Sequence, residues 1–260
     1  MDSFRSDFNR VRKLPDVQAE TELRALLTRY PDLSSEQEGE VLYALGLAQF
    51  RQNRVAEARD TLKQTCRMFE HAEGAAPALA MTAPARAELA CGDTNESVTT
   101  GRAALALLKA RLAPEDPRLA PSLFSLSFGE YAARNMSQAE ALCLEAKELW
   151  EKRCGPDCLE VSTCLNNLGR ICEETGRAEE GIAWHRRALE LRRRALGDHP
   201  ETAFSLGNLG TALAAAGHWE EGTAVLEEAL ACYARCGHTQ GGDIDGDRRN
   251  LNVCRSALGR

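Results

Sequence analysis

The stretch that decides the fold is LNNLGRICEETGRAEEGIAWHRRALEL, residues 165–191, because LGNLGTALAAAGHWEEGTAVLEEALAC, residues 206–232, repeats its pattern 41 positions later. Identical residues occupy equivalent places in the two stretches, as in the pairs Leu168 and Leu209, Gly169 and Gly210, Gly176 and Gly217, and Ala188 and Ala229. Matches at so many fixed offsets exceed what a shared composition produces. Because self-similarity at a period of about 20 to 50 residues is typical of repeat proteins, we predict an array of one repeated unit.

The same pattern recurs toward the N-terminus at intervals of 39 to 42 residues. The equivalent residues are Leu123, Leu126, Ala141, Ala146 and Leu149 in one copy, Ala104 and Leu107 in the copy before it, and Leu42, Leu45, Gly46 and Ala58 in the first. Five copies are therefore predicted within residues 34–244, at about 35–70, 76–112, 119–154, 160–196 and 201–236. The period also reaches Asn250, Leu251 and Gly259, which predicts a half-repeat over 245–260 that caps the C-terminal end.

Each copy has the pattern of two amphipathic helices, which we call helix A and helix B. In the fourth copy Leu165, Leu168 and Cys172 follow helical spacing, and Gly176 is suited to the positive φ that ends helix A. Gly169, Gly181 and Ala188 are small residues that let neighbouring helices approach closely. An Ala- and Leu-rich composition with only 5% aromatic residues also favours helix over a β-sandwich.

The residues before the first copy, 1–33, are predicted to form a helical cap. Pro15 to Tyr30 fits one amphipathic helix, and residues 2–12 fit a shorter one. Ser35 and Glu38 have the spacing of a capping box at the start of the first repeat helix.

At the level of these motifs the chain resembles the tetratricopeptide repeat family, in which Leu-Gly in helix A precedes a turn Gly, a small residue early in helix B and an Ala near its end. The unit exceeds the usual length of about 34 residues and resembles the longer variety found in kinesin light chains and many bacterial repeat proteins. The resemblance implies an all-α fold, a right-handed superhelical solenoid of antiparallel helix pairs. Kinesin light chains themselves have a heptad coiled coil before their repeats. No such pattern precedes the repeats in this sequence.

Two copies depart from the pattern. Pro84 stands at the helix A position that Leu168 holds, and a proline inside a helix costs about 3 kcal/mol. We therefore expect that helix to start late or to kink. Arg134 stands where other copies have the turn Gly, and Asn135 is expected to take up the backbone strain.

The resemblance implies a concave groove lined by the helix A faces, which in this family commonly takes an extended or helical peptide. The candidate groove residues are aromatic or apolar in the first part and polar in the second: Tyr43, Leu47, Phe50, Phe124, Phe128, Tyr131, Asn166, Asn167, Arg170 and Asn208. Each has a second interpretation, since aromatic residues at helical spacing also pack between repeats and Asn amides also bond to an adjacent repeat.

The predicted function is a non-catalytic scaffold that binds a peptide or protein segment of unknown identity in this groove. The alternatives are a self-associating structural protein, and hence a homo-oligomer, or a thiol- or metal-responsive sensor. A net charge of −7 disfavours a nucleic-acid partner and suits a basic one. No catalytic motif was found, so no enzyme activity and no cofactor is predicted.

Three sequence features suggest metal or anion chemistry, and each has a simpler explanation. Cys154 with Cys158, and Cys232 with Cys236 and His238, have spacings that suit zinc but lack a fourth ligand, so no metal site is predicted. The carboxylates of Asp243, Asp245 and Asp247 hint at a calcium loop, but Arg248 and Cys254 replace its required Gly and Glu, and we expect helix capping instead. The basic run His185 to Arg194 is expected to face solvent on helix B.

The cellular location is predicted to be the cytoplasm. The N-terminal residues MDSFRSDFNRVRK carry charges where a signal peptide needs an apolar stretch, and no run of about 18 apolar residues could span a membrane. The ten cysteines are accordingly expected to be reduced thiols.

Overall fold

The computed structural model describes residues 3–69, 80 and 82–259. These residues contain thirteen α-helices, one short 3-10 helix and no β-strand, so the chain is all-α as predicted. They divide into two compact units, Met1–Asn135 and Met136–Arg260, whose boundary falls between the two helices of the third predicted repeat. None of the described helices is long and apolar enough to cross a membrane.

The first unit holds seven α-helices among its described residues: α1 (Ser3–Val11), α2 (Asp16–Arg29), α3 (Ser35–Arg51), α4 (Val55–Phe69), α5 (Ala83–Ala90), α6 (Thr94–Arg111) and α7 (Ala120–Ala132). The second unit holds six: α8 (Met136–Cys154), α9 (Leu159–Glu174), α10 (Ala178–Leu196), α11 (Pro200–Ala215), α12 (Trp219–Arg235) and α13 (Gly242–Ala257). A 3-10 turn, Pro117–Leu119, precedes α7. Residues 76–79 and 81 of the predicted second repeat lie outside the described residues.

The N-terminal helices α1 and α2 cover the apolar side of α3. The shared core consists of Phe4, Phe8, Val11, Ala19, Leu23, Leu26, Val41, Leu42 and Leu45. The capping box at the start of α3 lies one residue earlier than predicted: the Ser34 hydroxyl accepts from the Gln37 backbone N–H, and the Gln37 side chain accepts from the Ser34 N–H. Ser34 therefore caps the helix instead of Ser35.

Inside three of the helix pairs, a helix A glycine makes room for the helix B side chain that lies sixteen residues later in the sequence. A Cβ built at Gly169 would lie only 2.4 Å from His185 Nε2, and one at Gly210 would lie 2.6 Å from Leu226 Cγ. Gly46 has the same relation to Leu62, at 2.6 Å. The prediction that Gly169 permits close helix approach is thereby confirmed, and glycine is the residue that fits each crossing.

The turn between helix A and helix B uses a residue with positive φ in every pair. Gly92, Gly176 and Gly217 have φ of +87°, +76° and +85°. Arg134 itself adopts φ +64° at the equivalent place, so the prediction that Asn135 would take up the strain is wrong. The Asn135 N–H instead donates to the Glu130 carbonyl at 2.8 Å. This hydrogen bond closes the turn, and its formation requires the left-handed conformation of Arg134.

Pro84 lies in the first turn of α5, which begins at Ala83. A proline is tolerated there because its missing N–H would have no helical acceptor in any case. The described helix is accordingly short, at eight residues.

The left-handed Arg134 predicts a stabilising substitution. Because a non-glycine residue at positive φ is strained by about 1 kcal/mol, Arg134→Gly is expected to raise the free energy of unfolding by that amount, measured by urea denaturation. Gly176→Arg is the reciprocal control and is expected to lower it by a similar amount. A destabilised Arg134→Gly protein would contradict this account of the turn.

The glycine crossings predict a position-specific cost of adding a methyl group. Gly210→Ala forces its Cβ against the buried Leu226 and is expected to destabilise the protein by about 1 to 3 kcal/mol. Gly246→Ala, in α13, is the matched control because its nearest neighbour would lie 3.8 Å away. That change is expected to be neutral or to stabilise by up to about 1 kcal/mol through helix propensity. Equal thermal shifts for the two variants would refute the packing argument.

Candidate functional site

An apolar recess of the first unit lies beside the predicted groove residues of α3. It is a cavity of about 330 Å³ whose lining includes Tyr43 and Leu47 of α3 together with Phe8 and Leu23 from the two N-terminal helices. Charged residues of both signs also line it: Arg12, Glu36, Glu40 and Arg51. Burial raises the pKa of the Tyr43 hydroxyl, so that group stays protonated and can donate a hydrogen bond.

Phe50, the third predicted residue of α3, lies one turn beyond this cavity. Its side chain packs with those of Tyr43 and Leu47 against a small core that includes Ala83 and Ala87 of α5. The guanidinium of Arg86 stands over the Phe50 ring, 5.5 Å from its centroid, which is within cation–π distance. The structure thus brings the three α3 residues together, with Tyr43 and Leu47 at the cavity and Phe50 under Arg86.

The aromatic residues of α7 form a second patch in the first unit. Phe124 and Tyr131 are half-buried, whereas Phe128 keeps 39% of its surface exposed. These three residues follow one another at helical spacing along α7. They are not part of the α3 cavity, so the predicted aromatic residues make two separate surfaces.

Asn166 occupies the packed interior of the second unit. It is only 3% exposed, its Nδ2 donates to Ser205 Oγ of α11 at 2.8 Å, and its Oδ1 lies 3.0 Å from His185 Nδ1. Both ends of the amide are therefore used in packing, Oδ1 within its own repeat and Nδ2 toward the next repeat, as in the second interpretation given to the asparagines above.

The basic run 185–194 was expected to face solvent throughout, but two of its members turn inward. His185 is fully buried over Gly169, with Nε2 2.7 Å from the Glu173 carboxylate. Arg192 is 5% exposed and donates to Ser205 Oγ at 2.9 Å and to the Glu201 carbonyl at 3.0 Å. Burial lowers the pKa of Arg192, and these hydrogen bonds compensate for the lost hydration.

The remaining arginines of the run are exposed, as expected, and pair with acidic residues of neighbouring helices and loops. Arg186 binds Glu221 at 2.7 Å, and Arg187 and Arg194 both reach Asp157.

Asn167, Arg170 and Asn208 are partly exposed on helix A faces of the second unit. Asn208 also borders a small cavity of about 180 Å³ between α11, α12 and α13. Its Nδ2 is buried and has no hydrogen-bond partner among the described residues. The same holds for Oδ2 of Asp247, on the opposite wall of the cavity.

Asp247 is a site residue that the sequence analysis misjudged. The three acidic residues were expected to cap α13, but its N-cap is Gly241 without a side-chain hydrogen bond, and Asp247 turns inward instead. Its carboxylate lies so close to Gly207 that a Cβ there would be 2.6 Å from both oxygens. The repeat period holds the missing signal, because Asp247 lies 42 residues after the buried Ser205.

The cysteines give one further correction. Cys154 and Cys158 are joined by a disulfide, with their Cα atoms 5.9 Å apart across the loop that turns at Gly155. The expectation of reduced thiols is wrong for this pair. A carboxylate oxygen of Glu160 lies within 4.8 Å of the two sulfurs. Cys232, which was weighed as a zinc ligand, is buried, with its sulfur 3.8 Å from Asp198 Oδ1.

Comparisons with known proteins agree on the fold. The tetratricopeptide repeat family model matches residues 128–180 and 172–235. No curated protein sequence matches the chain. Among solved structures, BtubC (BKLC) from P. vanneervenii is 16% identical with a TM-score of 0.69, and the alignment covers 93% of this chain and 95% of that one.

Two further structures are similar over most of the chain. The putative kinesin light chain with nearly identical TPR-like repeats from Podospora anserina has a TM-score of 0.64 at 20% identity, with 79% of this chain and 98% of that one covered. A Rap protein complexed with Competence and Sporulation Factor has a TM-score of 0.67 at 14% identity, with 99% and 87% covered. The family match shows tetratricopeptide repeats over residues 128–235, and the solved structures show that the chain shares the fold of tetratricopeptide repeat proteins, those with kinesin-light-chain-like repeats among them.

Proposed function

We propose that the chain is a non-catalytic protein-interaction scaffold that binds an extended or helical segment of a partner protein along the helix A faces of its repeats. The groove residues are those named above except the buried Asn166, and the partner is a protein or peptide, not a nucleic acid or a membrane. The fold is shared with the Rap protein that was solved with Competence and Sporulation Factor bound, which supports a binding role. We further propose that the chain acts in the cytoplasm and needs no cofactor.

The observation that carries this proposal is the α3 cavity of the first unit. Binding pockets typically combine an apolar lining with a few polar groups that fix orientation, and this cavity has that composition. Tyr43 and Leu47 supply apolar surface, while Arg12, Glu36 and Arg51 supply charge at its border. A volume of about 330 Å³ is at the lower end of typical ligand pockets, which suits one or two apolar side chains of a bound segment.

The second unit offers a different chemistry for a bound segment. Asn167 and Asn208 occupy equivalent places in consecutive helix A sequences, 41 residues apart. An amide side chain has both a donor and an acceptor, so it can pair with a peptide backbone irrespective of the peptide's sequence. Backbone pairing of this kind would give the second unit a binding surface with little sequence preference.

Selection of binding peptides tests this proposal. A phage-displayed random peptide library panned against the purified protein is expected to yield a consensus peptide with apolar anchor residues. Leu47→Glu, which places a charge in the cavity, and Phe128→Ser, which removes the exposed ring, are expected to weaken the binding of such peptides by about tenfold or more, or ~1.4 kcal/mol each. Fluorescence anisotropy with the labelled peptide measures the affinity.

The matched control is Val253→Ser, which alters an exposed apolar residue on α13. It is expected to leave the affinity unchanged. Circular dichroism is used to verify that every variant keeps the helicity of the parent protein. Peptides that bind Leu47→Glu and Phe128→Ser as tightly as the parent would rule out the helix A faces of the first unit as the binding surface.

A further inference from the structure

The 180 Å³ cavity of the second unit has a composition unlike the α3 cavity. Phe204 and Tyr233 line it with aromatic surface, and Asp243 and Asp247 contribute two acidic groups from α13. Its volume is many times the ~15 Å³ that a single water requires. The cavity opens beside the exposed Gly242. It is therefore large enough for the end of a long side chain.

The walls of this cavity hold two buried polar groups without partners. Asp247 is 6% exposed, and its Oδ2 has no hydrogen bond from any described residue. Asn208 Nδ2, across the cavity, likewise lacks an acceptor among the described residues. Buried carboxylates and amides are nearly always hydrogen-bonded in folded proteins, so two unpaired groups on one small cavity indicate a ligand that pairs with both.

The charges around Asp247 indicate the sign of that ligand. Burial, together with the charge of Asp243, raises the pKa of Asp247 to about 7, so the carboxylate is not held ionised by a neighbouring cation. Arg248, the next residue, is turned to Asp245 and to the Thr239 carbonyl, at 3.3 and 3.2 Å. A positively charged donor would therefore find an acidic site that the described arginines leave open.

The complementary ligand needs three features. It must carry a cationic donor for the Asp247 carboxylate and an apolar stem for the rings of Phe204 and Tyr233. It must also have an acceptor for the Asn208 amide. An arginine or lysine residue within a peptide has all three, because its side chain ends in a cation, its stem is apolar, and its backbone carbonyl accepts a hydrogen bond.

We propose that this cavity binds the cationic side chain of an arginine or lysine in the partner segment, with Asp247 as its counter-ion and Asn208 as a donor to the adjoining peptide carbonyl. The inference rests on the proposed function and adds to it the chemical class of the partner at this position. The net charge of −7 of the chain favours the approach of such a basic segment.

The test compares two small probes that differ only in whether the side chain is positively charged. Acetyl-arginine-N-methylamide and its neutral isostere acetyl-citrulline-N-methylamide are titrated into the 15N-labelled protein, and the side-chain amide of Asn208 is followed by NMR. The arginine probe is expected to shift this signal in a saturable manner, and the citrulline probe to bind at least tenfold more weakly. Equal affinities, or no saturable shift with arginine, would overturn the proposal and leave a water-filled cavity.

Substitutions in and near the cavity test whether the arginine probe binds there. Asp247→Asn removes the counter-ion at nearly constant shape and is expected to weaken the arginine probe at least tenfold. Asp245→Asn, an exposed acidic residue two positions away on the same helix, is the matched control and is expected to have no effect. Gly242→Leu adds bulk at the mouth, where an added Cβ meets no atom within 4 Å, and is expected to block binding even if Asp247→Asn perturbs the fold. Unchanged binding in Gly242→Leu and Asp247→Asn would place the probe elsewhere and refute the site.

The outcomes also separate this inference from the proposed function. Library peptides that bind through the first unit but contain no basic residue would leave the scaffold function intact and remove only the cationic subsite. Conversely, the arginine probe could bind saturably while the library yields no binding peptides. That result would support the cationic subsite and contradict the proposed scaffold function.

Discussion

The structure depends on a steric constraint at the crossing of the two helices within three of the repeats. The helices approach so closely that one side of the contact has room only for a hydrogen atom, and glycine supplies it. The partner is a buried helix B side chain, as in the pairs Gly46 and Leu62, Gly169 and His185, and Gly210 and Leu226. Because the close crossing recurs at the same offset, it fixes the register of helix B on helix A, and the turn between the helices must then adopt a positive φ to reverse the chain.

The close crossing also determines how polar residues enter the interior. His185 replaces the leucine found at two other crossings, and its ring nitrogens need partners because the ring is fully buried. Glu173 and Asn166 supply them from the same pair, and Asn166 in turn donates to Ser205 of the next pair. Arg192 meets the same Ser205 hydroxyl. A single substitution at the crossing is thus accommodated by a hydrogen-bonded network that spans two consecutive repeats.

The periodic features of the fold could be predicted from the sequence because they repeat. Three features, which are the helix pairing, the turn glycines and the close approach at Gly169, require the same type of residue at the same position of successive repeats. That residue type therefore recurs in the sequence at a fixed offset. Two of the features that were predicted wrongly occur once. The inward turn of Arg192 within an otherwise solvated basic run depends on acceptors that α11 supplies, and the Cys154–Cys158 disulfide depends on the path of one loop. No period reveals contacts of this kind. The groove residues show the same limit, since periodicity placed them on helix A but could not distinguish the partly exposed Asn167 from the buried Asn166.

The acidic cavity follows from a change at one register position between consecutive repeats. In the fourth repeat Asn166 fills the interface and donates to Ser205. One period later the equivalent residues are Gly207 and Asp247. Glycine has no amide to offer, so the Asp247 carboxylate lies against bare backbone, in the place that a side chain at Gly207 would take, and its Oδ2 has no hydrogen bond from the described residues. The contact that satisfies the polar groups at one interface is therefore missing at the next, and a cation bound in the adjoining cavity can supply it.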